Sequence, residues 1–177
     1  MKTTIFIILT FVFYSCKQQK TENEKFVNYI ATIPDLNLPF VTNSSVDLHS
    51  KKELDSLYLE YNSEIQGEYG KGKINDSIYF VIQLLASDIV FPKLVTFNKN
   101  GKRINELHLL NNPGGSSGYD ETGSSHLYID KDYNITITDS IETFTRDTTG
   151  VIVEKSRRQS VEINKYRIET DGKIKKW

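Results

Sequence analysis

The chain has 177 residues, a formal net charge of −1 and one cysteine. This length suits a single domain, and the near-neutral charge gives no electrostatic basis for binding nucleic acid. One cysteine excludes an intramolecular disulfide, and no histidine–cysteine group has zinc-site spacing, so the sequence predicts neither a metal nor another cofactor.

The first sixteen residues have the layout of an export signal. Lys2 supplies a positive charge, the run Ile5–Tyr14 is apolar, and Ser15 is the small residue before Cys16. The apolar run is too short for a membrane-spanning helix, which needs about 20 residues. An ordinary secretory signal has small residues at both −3 and −1, but Phe13 would occupy −3.

The N-terminal pattern resembles a bacterial lipoprotein signal, in which the cysteine is lipidated and becomes the new N-terminus. We therefore predict a signal peptide over residues 1–15, a lipidated Cys16 with a polar tether over 16–25, and one globular domain over 26–177. A thiol suits this role because it accepts a diacylglyceryl group as a thioether, and two or more acyl chains hold a protein stably on a membrane. The alternative is a plain cysteine in an exported or tethered chain.

A short helix is predicted directly after the tether. Thr21 and Glu24 fit a capping box, and the apolar side chains that follow fall on one helical face: Phe26, Tyr29 and Ile30. The helix must end near Pro34, because the residue before a proline avoids the helical region. Residues 34–47 are expected to be irregular.

A second helix is predicted to begin at Ser50. Ser50 and Glu53 form another capping box, and apolar residues then recur at helical spacing: Leu54, Leu57, Tyr58, Tyr61 and Ile65. We expect this face to pack onto a sheet.

From Ser77 onward the pattern favours strands joined by short turns, which is typical of an antiparallel meander. Asn100-Gly101 and Asp171-Gly172 are the clearest turn signals. The predicted strands are Ser77–Ala86, Leu94–Phe97, Ile104–Leu110, His126–Asp130, Tyr133–Thr145, Val151–Ser156 and Val161–Glu169, with Ile174 and Trp177 completing the sheet.

Two of these strands change the face that carries their apolar residues. The change falls between Ile141 and Phe144 in one strand, and between Ile163 and Tyr166 in the other. A β-bulge would explain each change, because one extra residue inverts the alternation. The predicted fold is therefore mainly β, with α structure at the N-terminus: an antiparallel meander forming a curved sheet, half-barrel or sandwich, with one or two short helices packed on it.

The polar loop 111–125 is the main candidate for a binding site. It carries Tyr119, Asp120 and Glu121 and is followed by His126. A ligand could stack on the ring of Tyr119, and the carboxylates of Asp120 and Glu121 could bind a polar ligand or a cation. The alternative is a surface connection without function, since polar glycine- and serine-rich loops are common.

Two features that contain carboxylates are candidate sites of chemistry. Asp130, Asp132 and Asn134 resemble the start of a calcium loop, but the glycine and glutamate that such a loop requires are replaced by isoleucines. Asp139 lies on an otherwise apolar face, where a buried carboxylate can act as an acid or base, but the sequence identifies no catalytic partner.

Four segments resemble small lipoproteins of the Bacteroidota. They are the Ser15-Cys16-Lys17 junction, Leu38-Pro39-Phe40, the stretch 96–102 (TFNKNGK) and the stretch 129–136 (IDKDYNIT). The resemblance implies a cell-envelope lipoprotein with a mostly-β domain, lipid-anchored on the outer membrane and facing the periplasm. It implies no catalytic residues.

The sequence thus favours a non-enzymatic binding or accessory module. Its expected partners are the membrane, through Cys16, and an envelope protein or small polar ligand, but not nucleic acid. Two alternatives remain: an envelope hydrolase whose carboxylates are unassigned, and an inhibitor or immunity-type protein that acts through the loop 111–125.

Overall fold

The computed structural model describes residues 21–43, 48, 56–62, 65–85, 90–110 and 119–177. This part of the chain is mainly β, with two antiparallel sheets and helical structure on the N-terminal side, which confirms the predicted fold class. Cys16, the signal segment and residues 111–118 of the polar loop lie outside the described residues.

The described elements follow one another in a simple order. The helices are α1 (Glu22–Thr32) and α2 (Leu59–Asn62), with 3-10 turns at Ser56–Tyr58 and Glu154–Ser156. The strands are β1 (Phe40–Thr42), β2 (Ile65–Asn75), β3 (Ile78–Leu85), β4 (Phe91–Asn98), β5 (Arg103–His108), β6 (Glu121–Ile129), β7 (Asn134–Thr143), β8 (Arg158–Ile168) and β9 (Ile174–Lys176).

The four-stranded sheet is a meander in the order β2-β3-β4-β5. Its central strands are apolar on both sides, because each side faces another layer. In β3, Phe80 and Ile82 face the second sheet, whereas Val81 faces α1. This is why the sequence of β3 reads as a continuous apolar run.

The five-stranded sheet has the order β1-β6-β7-β8-β9. It places alternate residues of β6, β7 and β8 against the first sheet, in agreement with the period of two along a strand. These residues are Leu127, Ile129, Ile135, Ile137 and Ile168. The main core therefore lies between the two sheets.

Helix α1 covers the opposite face of the four-stranded sheet. Its predicted capping box is present: Glu24 N–H donates to the Thr21 hydroxyl, and Thr21 N–H donates to the Glu24 carboxylate. At its other end, Lys71 Nζ donates to the carbonyl of Ile30 at 2.8 Å, where a cation offsets the negative end of the helix dipole. The expected buried face is also confirmed.

Four tight turns share one hydrogen-bonding pattern. In each, the first residue donates its N–H to the fifth carbonyl, and the fourth residue donates back to the first carbonyl. The fourth residue has positive φ in every case, namely Gly101, Tyr133, Gly150 and Gly172. The two turns predicted from Asn-Gly and Asp-Gly are confirmed, although Asn100 itself does not take a positive φ.

The structure corrects the expected second helix and two other expectations. The part of it that is described is a 3-10 turn followed by a four-residue helix, and Ile65 begins strand β2 instead of ending a helix. The predicted capping box at Ser50 and Glu53 lies outside the described residues. Phe40–Thr42 forms a strand within the region expected to be irregular, and the segment Val151–Ser156 contains a 3-10 turn where a strand was expected.

The two predicted bulges are wrong. β7 pairs with β6 and with β8 in continuous register from end to end. Val161 and Ile163 lie on the outer face of the sheet, and each is 58% exposed. Their apolar character therefore reflects an uncovered outer surface.

Candidate functional site

One end of the five-stranded sheet carries a structured projection that we call the tip surface, formed by residues 119–120 and 144–157. The chain leaves β7 at Phe144, makes a small loop closed by the bridge between Arg146 and Ile152, and enters β8 at Arg158. Tyr119, which follows the polar loop, packs beside it. Exposed apolar side chains project from this region: Tyr119 (73% exposed), Val151 (61%) and Val153.

Arg146 organises the tip surface. Its guanidinium lies 4.9 Å from the ring centroid of Tyr119 and 5.1 Å from that of Phe144, so the cation is held between two aromatic faces. Arg146 Nε also donates to the carbonyl of Tyr119 at 3.0 Å, and Nη1 donates to the carbonyl of Gly150 at 2.9 Å. The side chain thereby ties three separate positions of the backbone together.

A second arginine extends this stack along the sheet. Arg157 lies 5.6 Å from the ring centroid of Phe144, and its Nη1 is 2.7 Å from the carboxylate of Glu142. Its Nε makes a second ion pair, also at 2.7 Å, with Glu154. Phe144 is therefore buried between two cations, each of which is fixed by hydrogen bonds.

Two of the four predicted binding residues belong to the tip surface. Tyr119 stacks on Arg146, and the Asp120 carboxylate lies 3.9 Å from Arg146 Nε. Glu121 begins β6 opposite Thr143, next to this region. The structure therefore brings Tyr119 and Asp120 together around a cation that the sequence reading did not include.

His126 lies elsewhere. It is exposed on the outer face of the five-stranded sheet, opposite Thr138 of β7. The next row on that face contains Val41, Tyr128, Thr136 and Lys165, with Trp177 beyond Lys165. His126 thus belongs to a flat face of mixed polar and apolar side chains.

Asp139 is buried inside the sandwich, with 4% of its surface exposed. It lies directly opposite Ser125, and the Ser125 hydroxyl donates a hydrogen bond to the Asp139 carboxylate. Among the described residues, the row of paired positions that contains Ser125 and Asp139 across the strands includes no histidine. The hydrogen bond from Ser125 therefore helps to satisfy a buried carboxylate within the sandwich.

The calcium-like string is one of the four tight turns. Asp130 Oδ1 accepts from the backbone N–H groups of Asp132 and Asn134, and Oδ2 accepts from the Asn134 side chain. Partial burial works to raise the pKa of Asp130, but the hydrogen bonds from Asn134 and Asp132 outweigh it and lower that pKa. The carboxylate is occupied in shaping a turn, as the failed calcium pattern indicated.

A further polar group lies buried between α1 and the four-stranded sheet. Glu68 and Gln83 are fully buried neighbours on β2 and β3, and Lys93 lies next to Gln83 on β4. Gln83 Nε2 donates to the carbonyl of Tyr61 at 2.9 Å, which fixes α2 to the sheet. The Tyr29 hydroxyl faces Glu68 and Gln83, and burial followed by the Glu68 charge raises the pKa of Tyr29 far above its ordinary value.

Within the described ranges, no group of three or more His, Cys, Asp or Glu side chains has the geometry to hold a metal ion. The helices described there also include none that is long and apolar enough to cross a membrane.

Comparison with known proteins gives no relative from which a function could be taken. No protein family matches the chain, and neither a curated protein nor a solved structure matches it.

Proposed function

We propose that the protein is a cell-envelope lipoprotein, anchored through Cys16, whose β domain is a non-enzymatic module that binds another envelope protein through the tip surface. The observation that carries the binding role is the fixed Tyr119–Arg146–Phe144 stack beneath exposed apolar side chains. The anchor is supported by the N-terminal sequence alone.

The composition of the tip surface suits a protein partner. Tyrosine and arginine are enriched among the residues that dominate protein–protein binding energy. Here Tyr119 presents a large exposed ring, while Val151 and Val153 supply apolar area beside it. Arg157 and its partners Glu142 and Glu154 add charged groups close to this area, so the surface combines apolar side chains with neighbouring charges.

The tip surface is already well ordered before a partner binds, and this also favours binding. Because Arg146 is already stacked and hydrogen-bonded in the free chain, a partner would not have to fix its long side chain. Each flexible side chain that must be immobilised on binding costs about 0.5–1.5 kcal/mol. A pre-ordered arginine avoids that loss.

A photo-crosslinking amino acid at position 119 tests the binding role in intact cells. We expect one discrete protein adduct from position 119 and none from position 131, since Lys131 is also exposed but lies at the opposite end of β6. Mass spectrometry would identify the partner. Absence of an adduct at 119, or similar adducts from both positions, would contradict the proposal.

Arg146→Lys provides the matched variant. It keeps the positive charge but loses the planar stack and the forked hydrogen bonds. We expect a several-fold weaker adduct from position 119 in this background, with an unchanged far-UV circular dichroism spectrum. An adduct of undiminished yield would show that the stack does not prepare the surface for a partner.

The lipid anchor is tested separately, by intact mass and detergent-phase partitioning of the wild type and Cys16→Ala, both expressed with the native signal. We expect the wild type to carry an acyl mass and to enter the detergent phase, and the variant to stay uncleaved. If both proteins are processed alike and lack lipid, the anchor is disproved while the binding role of the tip surface stands.

A further inference from the structure

Strand β8 has an open edge. β7 pairs with residues 158–167 of β8 in continuous register, but β9 pairs only with residues 166–168. Trp177 extends the contact on the β9 side to Lys165. The stretch 158–163 has no strand on its other side among the described elements. All six of these residues are exposed.

The direction of the free backbone groups follows from the bonds at the paired end of β8. Ile168 N–H donates toward β7, to the carbonyl of Tyr133, whereas the carbonyl of Lys165 points toward β9 and accepts from Trp177 N–H. Backbone direction alternates along a strand. Gln159, Val161 and Ile163 therefore direct their N–H and C=O groups into the open edge.

Charged residues are one device that protects an edge strand, and this edge carries Arg158 and Glu162, but it lacks the other devices. It contains no proline, it has no bulge, and it is not covered by a described helix or loop. Val161 and Ile163 are apolar and more than half exposed along it. A strand added here would gain hydrogen bonds and cover these side chains.

The charges on the edge make it complementary to itself. Arg158 and Glu162 are both exposed, and Ser160 lies midway between them. If two copies pair antiparallel with Ser160 opposite Ser160, each Arg158 falls opposite a Glu162 of the other copy. Opposite charges facing each other across an antiparallel pair stabilise it, and like charges there destabilise it.

We propose that the open edge of β8 pairs with the same edge of a second copy of this chain, antiparallel and centred on Ser160. The pairing joins the two five-stranded sheets into one continuous sheet across a two-fold axis, as an isologous interface requires. In this register Gln159 of each copy lies opposite Val161 of the other, so that their free N–H and C=O groups meet. The partner strand ends before Lys165, where Trp177 closes the edge.

Charge reversal tests the interface without relying on loss of folding. The monomer–dimer equilibrium of the full chain would be measured by analytical ultracentrifugation in detergent. We expect Arg158→Glu and Glu162→Arg each to raise the dimer dissociation constant by roughly tenfold or more, because each creates two like-charge pairs. The double variant Arg158→Glu/Glu162→Arg should restore dimerisation to near the wild-type level.

A disulfide tests the register. The two Ser160 residues would form a non-hydrogen-bonded pair, whose Cα atoms lie about 4.5 Å apart and within disulfide range. In the full-length Cys16→Ala background, Ser160→Cys should give a covalent dimer on oxidation, whereas Ser124→Cys, exposed on β6 and separated from β8 by β7, should not.

Three results would overturn the proposal. They are a wild type that remains monomeric at all accessible concentrations, a charge-reversed double variant that fails to recover dimers, and a Ser160→Cys variant that crosslinks no better than Ser124→Cys. Crosslinking through Val161→Cys in preference to Ser160→Cys would overturn the register, because in the proposed pairing the two Val161 residues lie diagonally across the interface.

Discussion

Two glycines with the same backbone conformation differ in what surrounds them. Gly101 and Gly150 have φ values of 81° and 84°. A Cβ on Gly101 would lie 2.8 Å from the ring of Tyr61 and 2.9 Å from that of Phe26, whereas the nearest atom to a Cβ on Gly150 is the Tyr119 hydroxyl at 3.8 Å. Substitutions at these two glycines therefore separate the energetic cost of backbone strain from that of steric conflict.

We predict that Gly150→Ala lowers the free energy of unfolding by about 1–2 kcal/mol, the cost of a left-handed conformation for a residue with a Cβ. Gly101→Ala should lower it by about 1–3 kcal/mol more, because two buried aromatic rings must also move. Chemical denaturation monitored by circular dichroism measures both variants. Equal losses would mean that the packing around Gly101 yields at no cost.

Tyr133 has a backbone conformation that the sequence around it does not predict. It occupies the position taken by glycine in the other three turns, with φ of 62°. Its ring packs edge-on against Phe80, and its hydroxyl donates to the carbonyl of Lys73 at 2.8 Å. These contacts come from the opposite sheet, so the sequence around residue 133 contains no signal for them.

Buried tyrosines should make the protein sensitive to alkali. Burial followed by the Glu68 charge raises the pKa of Tyr29, and burial followed by the Glu60 charge raises the pKa of Tyr61 to about 12. Because these hydroxyls bind protons more tightly in the folded state, their contribution to stability is complete below pH 10. It is lost as the pH rises above 10, the ordinary pKa of a tyrosine in the unfolded chain.

We therefore expect the free energy of unfolding to fall between pH 10 and 12, and Tyr29→Phe to reduce the slope of that fall. Near pH 7 the same variant should change stability by no more than about 1 kcal/mol, since the tyrosine is neutral there and its buried hydroxyl has no hydrogen-bond partner among the described residues. Urea titrations at several pH values measure the slope. An unchanged slope in Tyr29→Phe would mean that other groups cause the alkaline loss.

At the scale of elements, Phe26 is the centre of the aromatic contacts that hold α1 on the sheet. Phe26 lies within 6.1 Å, centroid to centroid, of four other rings: Tyr29, Tyr61, Tyr79 and Phe97. We predict that Phe26→Ala destabilises the protein by about 3–5 kcal/mol through the lost contacts and the resulting cavity. The matched change Val27→Ala, on the exposed side of the same helix, should cost less than about 0.5 kcal/mol. Thermal unfolding compares the two, and similar losses would contradict the assigned face.

Elements with strong local signals were predictable, and those defined by tertiary partners were not. The α1 capping box, the apolar run of β3 and the glycine turns each carry their own pattern. β2 was missed because Gly67, Gly70 and Gly72 weaken its alternation. Gly72 is needed there, since a Cβ would lie 2.1 Å from the ring of Phe80 on the neighbouring strand.

The same distinction applies to the tip surface. Tyr119 and Asp120 were predicted because a polar loop is visible in the sequence. Arg146 and Phe144 were not, because they meet Tyr119 across the sheet end, 25 or more positions along the chain. An arginine two residues after an aromatic residue at the end of a predicted strand was the only local signal.

On the scale of the whole molecule, the three layers predict a gradient of local stability. The four-stranded sheet is covered on one face by α1 and on the other by the five-stranded sheet, so opening it exposes both cores. The five-stranded sheet has an uncovered outer face and the open edge of β8. Local opening should therefore be rarest in β3 and β4.

Native-state hydrogen exchange should show this gradient and also a finer pattern within β8. We expect the slowest amides at Val81 and Val95, in the strands buried on both faces. Along the open edge, Val161 and Ile163 should exchange quickly in dilute protein because their N–H groups face solvent, while Glu162, bonded toward β7, exchanges more slowly. Raising the protein concentration should slow Val161 if a second copy occupies the edge. Uniform rates along 158–163 would contradict the alternation of backbone direction from which the open edge was deduced.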